Sequence, residues 1–169
     1  LKELDYYGYS GPRPCGLVFC SRQEEARQLA EAFTQQGQPA QALTNQDSPA
    51  VRRQAVKDLE SGRLHYLVTV DLFNEGVDIP EVNTVLFLRP TESLTIFLQQ
   101  LGRGLRLAED KECLTVLDFI GQANKKYNFE DKFAALLSNT TRGVTREIRD
   151  GFISLPKGCY IQLEKKAAR

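Results

Sequence analysis

Two arginines, two glutamines and two glycines within eight residues are the densest chemistry in the chain. Gln99-Gln100-Leu101-Gly102-Arg103-Gly104-Leu105-Arg106 follows a Gln-x-x-Gly-Arg-x-x-Arg pattern. On a helix, Gln99, Arg103 and Arg106 fall within roughly 60° of arc. Leu94, Leu98, Leu101 and Leu105 then form a separate apolar stripe suited to a core. A buried face would thus carry two guanidiniums and one carboxamide on its flank. Guanidinium keeps its charge and presents a planar fork of donors that matches phosphate oxygens. Each helical glycine costs about 1 kcal/mol relative to alanine, so Gly102 and Gly104 point to a close approach by backbone or ligand. The plain alternative is a solvated helix with two incidental arginines.

A second cluster lies upstream at Glu75-Gly76-Val77-Asp78-Ile79-Pro80. Gly76 suits a backbone that turns with positive φ or approaches another group closely. The Asp78 carboxylate is suited to accept from a ribose hydroxyl or to orient an arginine. Its plain alternative is a loop in which Gly76 turns the chain and Asp78 caps it. A third candidate is Ser21-Arg22, where free N–H groups at a helix start and a cation suit a backbone phosphate. Here the alternative is a helix cap with an exposed arginine. Gln46, Asp47 and Asn74 read as turn formers, and His65 reads as a satisfied structural residue. Tyr6-Tyr7-Gly8-Tyr9 is an aromatic cluster of the kind that stacks bases or packs against a neighbouring domain or linker.

These residues need a scaffold, and the hydrophobic pattern supplies one. Gly16 to Cys20 is a short apolar run expected to be a buried strand. Ser21 and Glu24 form a capping-box pattern for a following helix. Ala26, Leu29, Ala30 and Phe33 give that helix a stripe, and Gly37 closes it. Pro39 to Leu43 is a second strand candidate. Ser48 with Pro49 starts another helix, with Val51, Ala55 and Leu59 facing inward and Gly62 ending it. Leu64–Val70, Asn83–Leu88 and Cys113–Phe119 complete the apolar runs. Strands alternating with helices predict an α/β fold with a parallel sheet covered on both faces. In such sheets the functional loops gather at the carboxyl ends of the strands. Beyond that, Asn124 to Leu137 reads as a helix, and Phe152–Leu155 with Cys159–Leu163 as short β-like runs.

Composition sets outer bounds. The 169 residues are 41% hydrophobic and 26% charged, ordinary for one globular domain with a short appendage. Lys+Arg and Asp+Glu both number 22, so no global basic field exists and any nucleic-acid contact must be local. Cys15, Cys20, Cys113 and Cys159 form no Cys-x-x-Cys pair, which argues against a zinc site of ordinary spacing. Cys20 and Cys113 read as small core hydrophobes, and a reducing, cytoplasmic setting is the simplest fit. No apolar run approaches the length of a membrane span. A chain without Met that starts at Leu1 is expected to be a fragment. No Gly-x-x-x-x-Gly-Lys-Ser/Thr loop is present, so it carries no phosphate cradle of that type. Nor does a glycine-rich turn follow the first strand, which excludes a Rossmann-type reading.

The 99–106 octapeptide resembles the last signature motif of superfamily 2 helicases. Glu75 to Val82 resembles motif V of that superfamily, in a form closer to nucleotide-excision-repair and restriction-type helicases than to RNA-type ones. Phe19-Cys20-Ser21-Arg22 corresponds to the family's first motif on the same domain. The three follow the family's order and spacing over roughly Cys15 to Phe119. Residues 73–107 look like a bacterial group of large restriction-type helicases with an extra C-terminal region. The resemblance implies the second of two RecA-like domains, at residues 15–138. A linker or extension would precede it at 1–14, and a helical and β appendage would follow at 139–169. It implies Arg103 and Arg106 as arginine fingers and Gln99 as a γ-phosphate contact, with Gly76, Asp78 and Gly102 close to ATP. ATP and Mg2+ would be held mainly by a missing N-terminal RecA-like domain of the same polypeptide. Ser21, Arg22 and Thr69 would face nucleic acid, with DNA the expected partner. RNA-type members often carry Thr six residues before the motif V glycine, where this chain has Val70, and Thr69 is the nearest hydroxyl. The activity implied is that of an ATP-dependent helicase or translocase, inactive as this fragment alone. The alternative is a non-catalytic helicase-like module that binds nucleic acid or protein.

Overall fold

The computed structural model describes residues 2–70, 79–89 and 110–119. Among the described residues, five strands form one sheet: β1 (Gly16–Phe19), β2 (Ala40–Leu43), β3 (Tyr66–Thr69), β4 (Thr84–Phe87) and β5 (Thr115–Asp118). Every pairing is parallel, in the order β2-β3-β1-β4-β5. Three helices among the described residues accompany them: α1 (Lys2–Tyr7), α2 (Gln23–Gln35) and α3 (Pro49–Glu60). The α/β reading with a RecA-like parallel sheet therefore holds.

Alternation along the strands sorts the core into two layers. On one face, Leu17, Phe19, Leu43, Leu67, Val85 and Phe87 pack with Ala55 and Leu59 of α3. On the other, Val18, Tyr66, Val68 and Leu86 pack with Ala26, Ala30 and Phe33 of α2 and with Leu4 of α1. Leu4, within the segment 1–14 expected as a linker or extension, thus contributes a buried side chain to the second layer. The central strands β1, β3 and β4 are buried along their whole length, as a doubly covered parallel sheet requires.

Helix ends follow local chemistry. Ser48 Oγ accepts from the Val51 N–H, with Pro49 in the first turn, as the sequence predicts. Gly37 and Gly62 adopt φ of 79° and 80° just past the ends of α2 and α3, a conformation that costs glycine little. The α2 start differs from expectation. Arg22, extended at φ −129° and ψ 143°, occupies the N-cap without a side-chain cap bond. With the cap one residue later, at Arg22, the Ser21–Glu24 box does not form. Glu25 reaches back instead, accepting from the Ser21 N–H at 3.2 Å.

Two further expectations are corrected. Val51 is 41% exposed, because it sits in the first turn of α3, ahead of the stretch that lies on the sheet. Cys113 is exposed, because the apolar run beginning there enters the sheet only at Thr115. The helix expected to carry 99–106 and the elements expected at 124–137, 152–155 and 159–163 lie outside the described residues.

A buried asparagine closes the amino end of the sheet. Asn83 Oδ1 accepts from the Cys15 N–H at 2.9 Å, and Nδ2 donates to the Ser10 and Arg13 carbonyls at 2.7 and 2.8 Å. Its backbone N–H and C=O bind Cys15 and Thr115. This side chain fixes the segment before β1 beneath β4.

Candidate functional site: the carboxyl end of the sheet

The strand order creates one place where loops diverge. From β1 the chain passes through α2 to β2 on one side, whereas β4 leads to β5 on the other. Loops leaving the adjacent carboxyl ends of β1 and β4 therefore part in opposite directions. That topological switch is where open α/β sheets hold their ligands.

Ser21 and Arg22 stand there, exposed. Beneath them Cys20 is fully buried, its Sγ 3.6 Å from the Thr69 carbonyl and 3.7 Å from the Arg22 carbonyl. Arg89 follows β4 at the same end and is half-buried. Thr69 ends β3, fully buried, and its hydroxyl has no hydrogen-bond partner among the described residues. Its side chain thus does not present the surface hydroxyl expected of a nucleic-acid contact.

The turn after β2 adds a polar bridge. Asp47 Oδ2 accepts from the Thr44 N–H at 2.7 Å and from its Oγ1 at 3.1 Å. This bears out Asp47 as a turn former. Asn45 projects from that turn. Its Oδ1 accepts from Gln23 Nε2 at 2.9 Å, and its carbonyl accepts from Arg52 Nη2 at 2.9 Å. The Arg52 Nε is buried and without a partner among the described residues. Gln99, Gly102, Arg103, Arg106, Gly76 and Asp78 lie outside the described residues. By connectivity, residues 71–78 follow the carboxyl end of β3, and residues 90–109 follow that of β4.

Residues 2–108 match the family described as the helicase conserved C-terminal domain. The chain belongs to this family. Similar proteins include the ATP-dependent RNA helicase SrmB of Haemophilus influenzae, 32% identical over 91 residues, covering 54% of this chain and 21% of that protein. UvrABC system protein B of Nitrosomonas europaea is 29% identical over 149 residues, covering 79% of this chain and 21% of that protein. The C-terminal domain of the DEAD-box protein Dbp5 shares the fold with a TM-score of 0.62 at 18% identity, over 80% of this chain and 73% of that one. The chain spans only 16% to 25% of the length of other curated helicase relatives.

Within this helicase domain, the shifted titratable groups sit mainly away from the switch point. Burial pushes the Cys15 thiol up to about 11 and the Tyr66 phenol up to about 12. Burial also lowers His65 and Lys111. All four precede or begin strands, at the amino end of the sheet. His65 Nδ1 lies 2.8 Å from Gln38 Oε1, the satisfied structural residue the sequence suggested. There, shifted pKa values report packing rather than chemistry, although such shifts also gather at active sites. Among the described residues, no group of three His, Cys, Asp or Glu side chains is placed to hold a metal ion, and no phosphate cradle is present.

Sequence reasoning missed Gln23, Asn45 and Arg52. The only local signal was a polar stretch, Thr44 to Asp47, ahead of the α3 cap. Nothing in it linked Asn45 to Gln23, 22 residues away.

Proposed function

We propose that this chain is the second motor domain of an ATP-dependent DNA helicase or translocase of the restriction type. ATP and Mg2+ would be carried mainly by an N-terminal RecA-like domain of the same polypeptide, where the bound nucleotide supplies the phosphoanhydride that is cleaved. Arg103 and Arg106 place positive charge against its terminal phosphates, and Gln99 contacts the γ-phosphate. Gly102, Gly76 and Asp78 line the same cleft, the glycines allowing close approach. Ser21 and Arg22 hold the nucleic-acid backbone from the β1–α2 turn. Thr69, whose side chain is covered, supports the end of β3 beneath that turn.

The observation that carries this reading is the match of residues 2–108 to the helicase C-terminal family, on a sheet whose switch point exposes Ser21 and Arg22. The motif V form at Glu75–Val82 favours DNA. SrmB is by name an RNA helicase, so RNA is the competing substrate in any assay. A cytoplasmic setting belongs to the same proposal, supported by the free thiols of Cys15, Cys20 and Cys113.

The test is a nucleic-acid-stimulated ATPase assay on the full-length polypeptide with Arg103→Ala. The expected result is a fall of about 10³-fold or more in turnover, with circular dichroism and melting temperature unchanged. Retained turnover contradicts the arginine-finger assignment. Stimulation by single-stranded RNA but not DNA overturns the substrate. No turnover in the unaltered protein favours a non-catalytic module.

A further inference from the structure

The β2–α3 turn is closed on itself. Thr44 is 3% exposed, and both its N–H and its hydroxyl donate to Asp47 Oδ2. The Gln46 N–H donates to Thr44 Oγ1 at 3.3 Å, and Ser48 caps α3. Asn45 is held exposed at the apex of this rigid turn. Its carbonyl is fixed to α3 by Arg52, and its side-chain oxygen takes Gln23 Nε2. Gln23 is the first residue of α2 and directly follows Arg22. The strands β1 and β2 are not neighbours, since β3 lies between them. A contact from one turn to the other therefore has to span the end of β3, and Asn45 makes that span. The β1–α2 turn is held through its backbone, the Arg22 carbonyl accepting from the Ala26 N–H at 3.0 Å, and only weakly through its own side chains. Arg22 makes no side-chain cap bond, and the Ser21 N–H reaches Glu25 at an exposed 3.2 Å.

We propose that Asn45 is a positioning residue for nucleic-acid binding, holding the Ser21–Arg22 turn in register with α3 through Gln23 and Arg52. This rests on the proposed backbone contact at Ser21 and Arg22. Preorganisation lowers the entropy lost when a phosphate is gripped, and contacts of this class set register on the nucleic acid rather than drive chemistry. The effect belongs in half-saturation by nucleic acid and not in the rate at saturation. A neutral amide does this without placing a carboxylate beside bound phosphate.

The experiment uses the full-length polypeptide with Asn45→Ala, Gln23→Ala, the double variant and Arg22→Ala. It titrates single-stranded oligodeoxythymidylate in the ATPase assay. Asn45→Ala and Gln23→Ala are each expected to raise the half-saturating concentration about threefold to tenfold, with the saturated rate within about twofold of the unaltered protein. The double variant is expected to be no worse than either single one, because both remove the same bond. Additive losses, or losses confined to the saturated rate, overturn the proposal. So does an unshifted half-saturation in Asn45→Ala when Arg22→Ala does shift it. If Arg22→Ala leaves half-saturation unchanged, the contact reading itself fails and takes this inference with it.

Discussion

His65 is the only histidine of the chain, so its titration can be followed without ambiguity. It stands just before β3, paired with Gln38. Burial, with a smaller contribution from Arg13, holds its pKa below the ordinary 6.5. A histidine depressed in the folded state leaves the unfolded chain as the better proton acceptor. Stability is therefore full above the unfolded pKa, falls as the pH drops beneath it, and levels off below the folded pKa. Asp58 is depressed too, by its hydrogen bond from Arg63. Its contribution is present above the ordinary carboxylate pKa and is lost as the pH falls through the lowered folded value. The melting temperature is expected to fall as the pH drops through the ordinary histidine range near 6.5 and to fall less in His65→Gln. Thermal melts of both proteins at matched ionic strength measure this. An identical slope in the variant places the proton uptake elsewhere.

At the scale of elements, the signals that survived are those resting on chemistry local to a turn. Ser48-Pro49 started α3 where expected, because a hydroxyl acceptor and a proline satisfy a helix start from within three residues. Ser48→Ala is expected to cost about 1 kcal/mol, read as a lower denaturation midpoint at unchanged slope in urea titration. An unaltered midpoint shows that the Val51 N–H finds water at no loss. The signals that failed depended on what lay around the element. Ser21 and Glu24 had the spacing of a capping box, but an extended Arg22 takes the N-cap and the helix starts one residue later. Cys113 opened an apolar run, yet β5 is an edge strand in the described sheet, with Val116 37% and Phe119 41% exposed. Hydrophobic pattern alone does not separate an edge strand from a central one. Ser21 and Arg22 were legible as candidate contacts because they follow an apolar run directly. The Gln23–Asn45–Arg52 bridge was not, because it joins turns that become neighbours only once β3 has been inserted between β1 and β2.

For the whole molecule, the decisive feature is where its cations can act. Net charge is zero, so no overall field draws in nucleic acid, and the proposed contact has to rest on local cations such as Arg22. Neither a phosphate-cradling loop nor an Asp-Glu pair for magnesium occurs anywhere in the sequence. Arginine fingers stabilise charge that develops on a phosphate already held in place by other groups. Supplied without that cradle, they have nothing to stabilise. The 169-residue chain by itself is therefore expected to show no ATP turnover above background, with or without single-stranded DNA, while the full-length polypeptide hydrolyses ATP in the same assay. Phosphate release from the two proteins at equal molarity makes the comparison. Turnover by the isolated chain, carried through purification in proportion to the protein, means that a nucleotide site exists within these residues, and the division of labour between two domains then has to be abandoned.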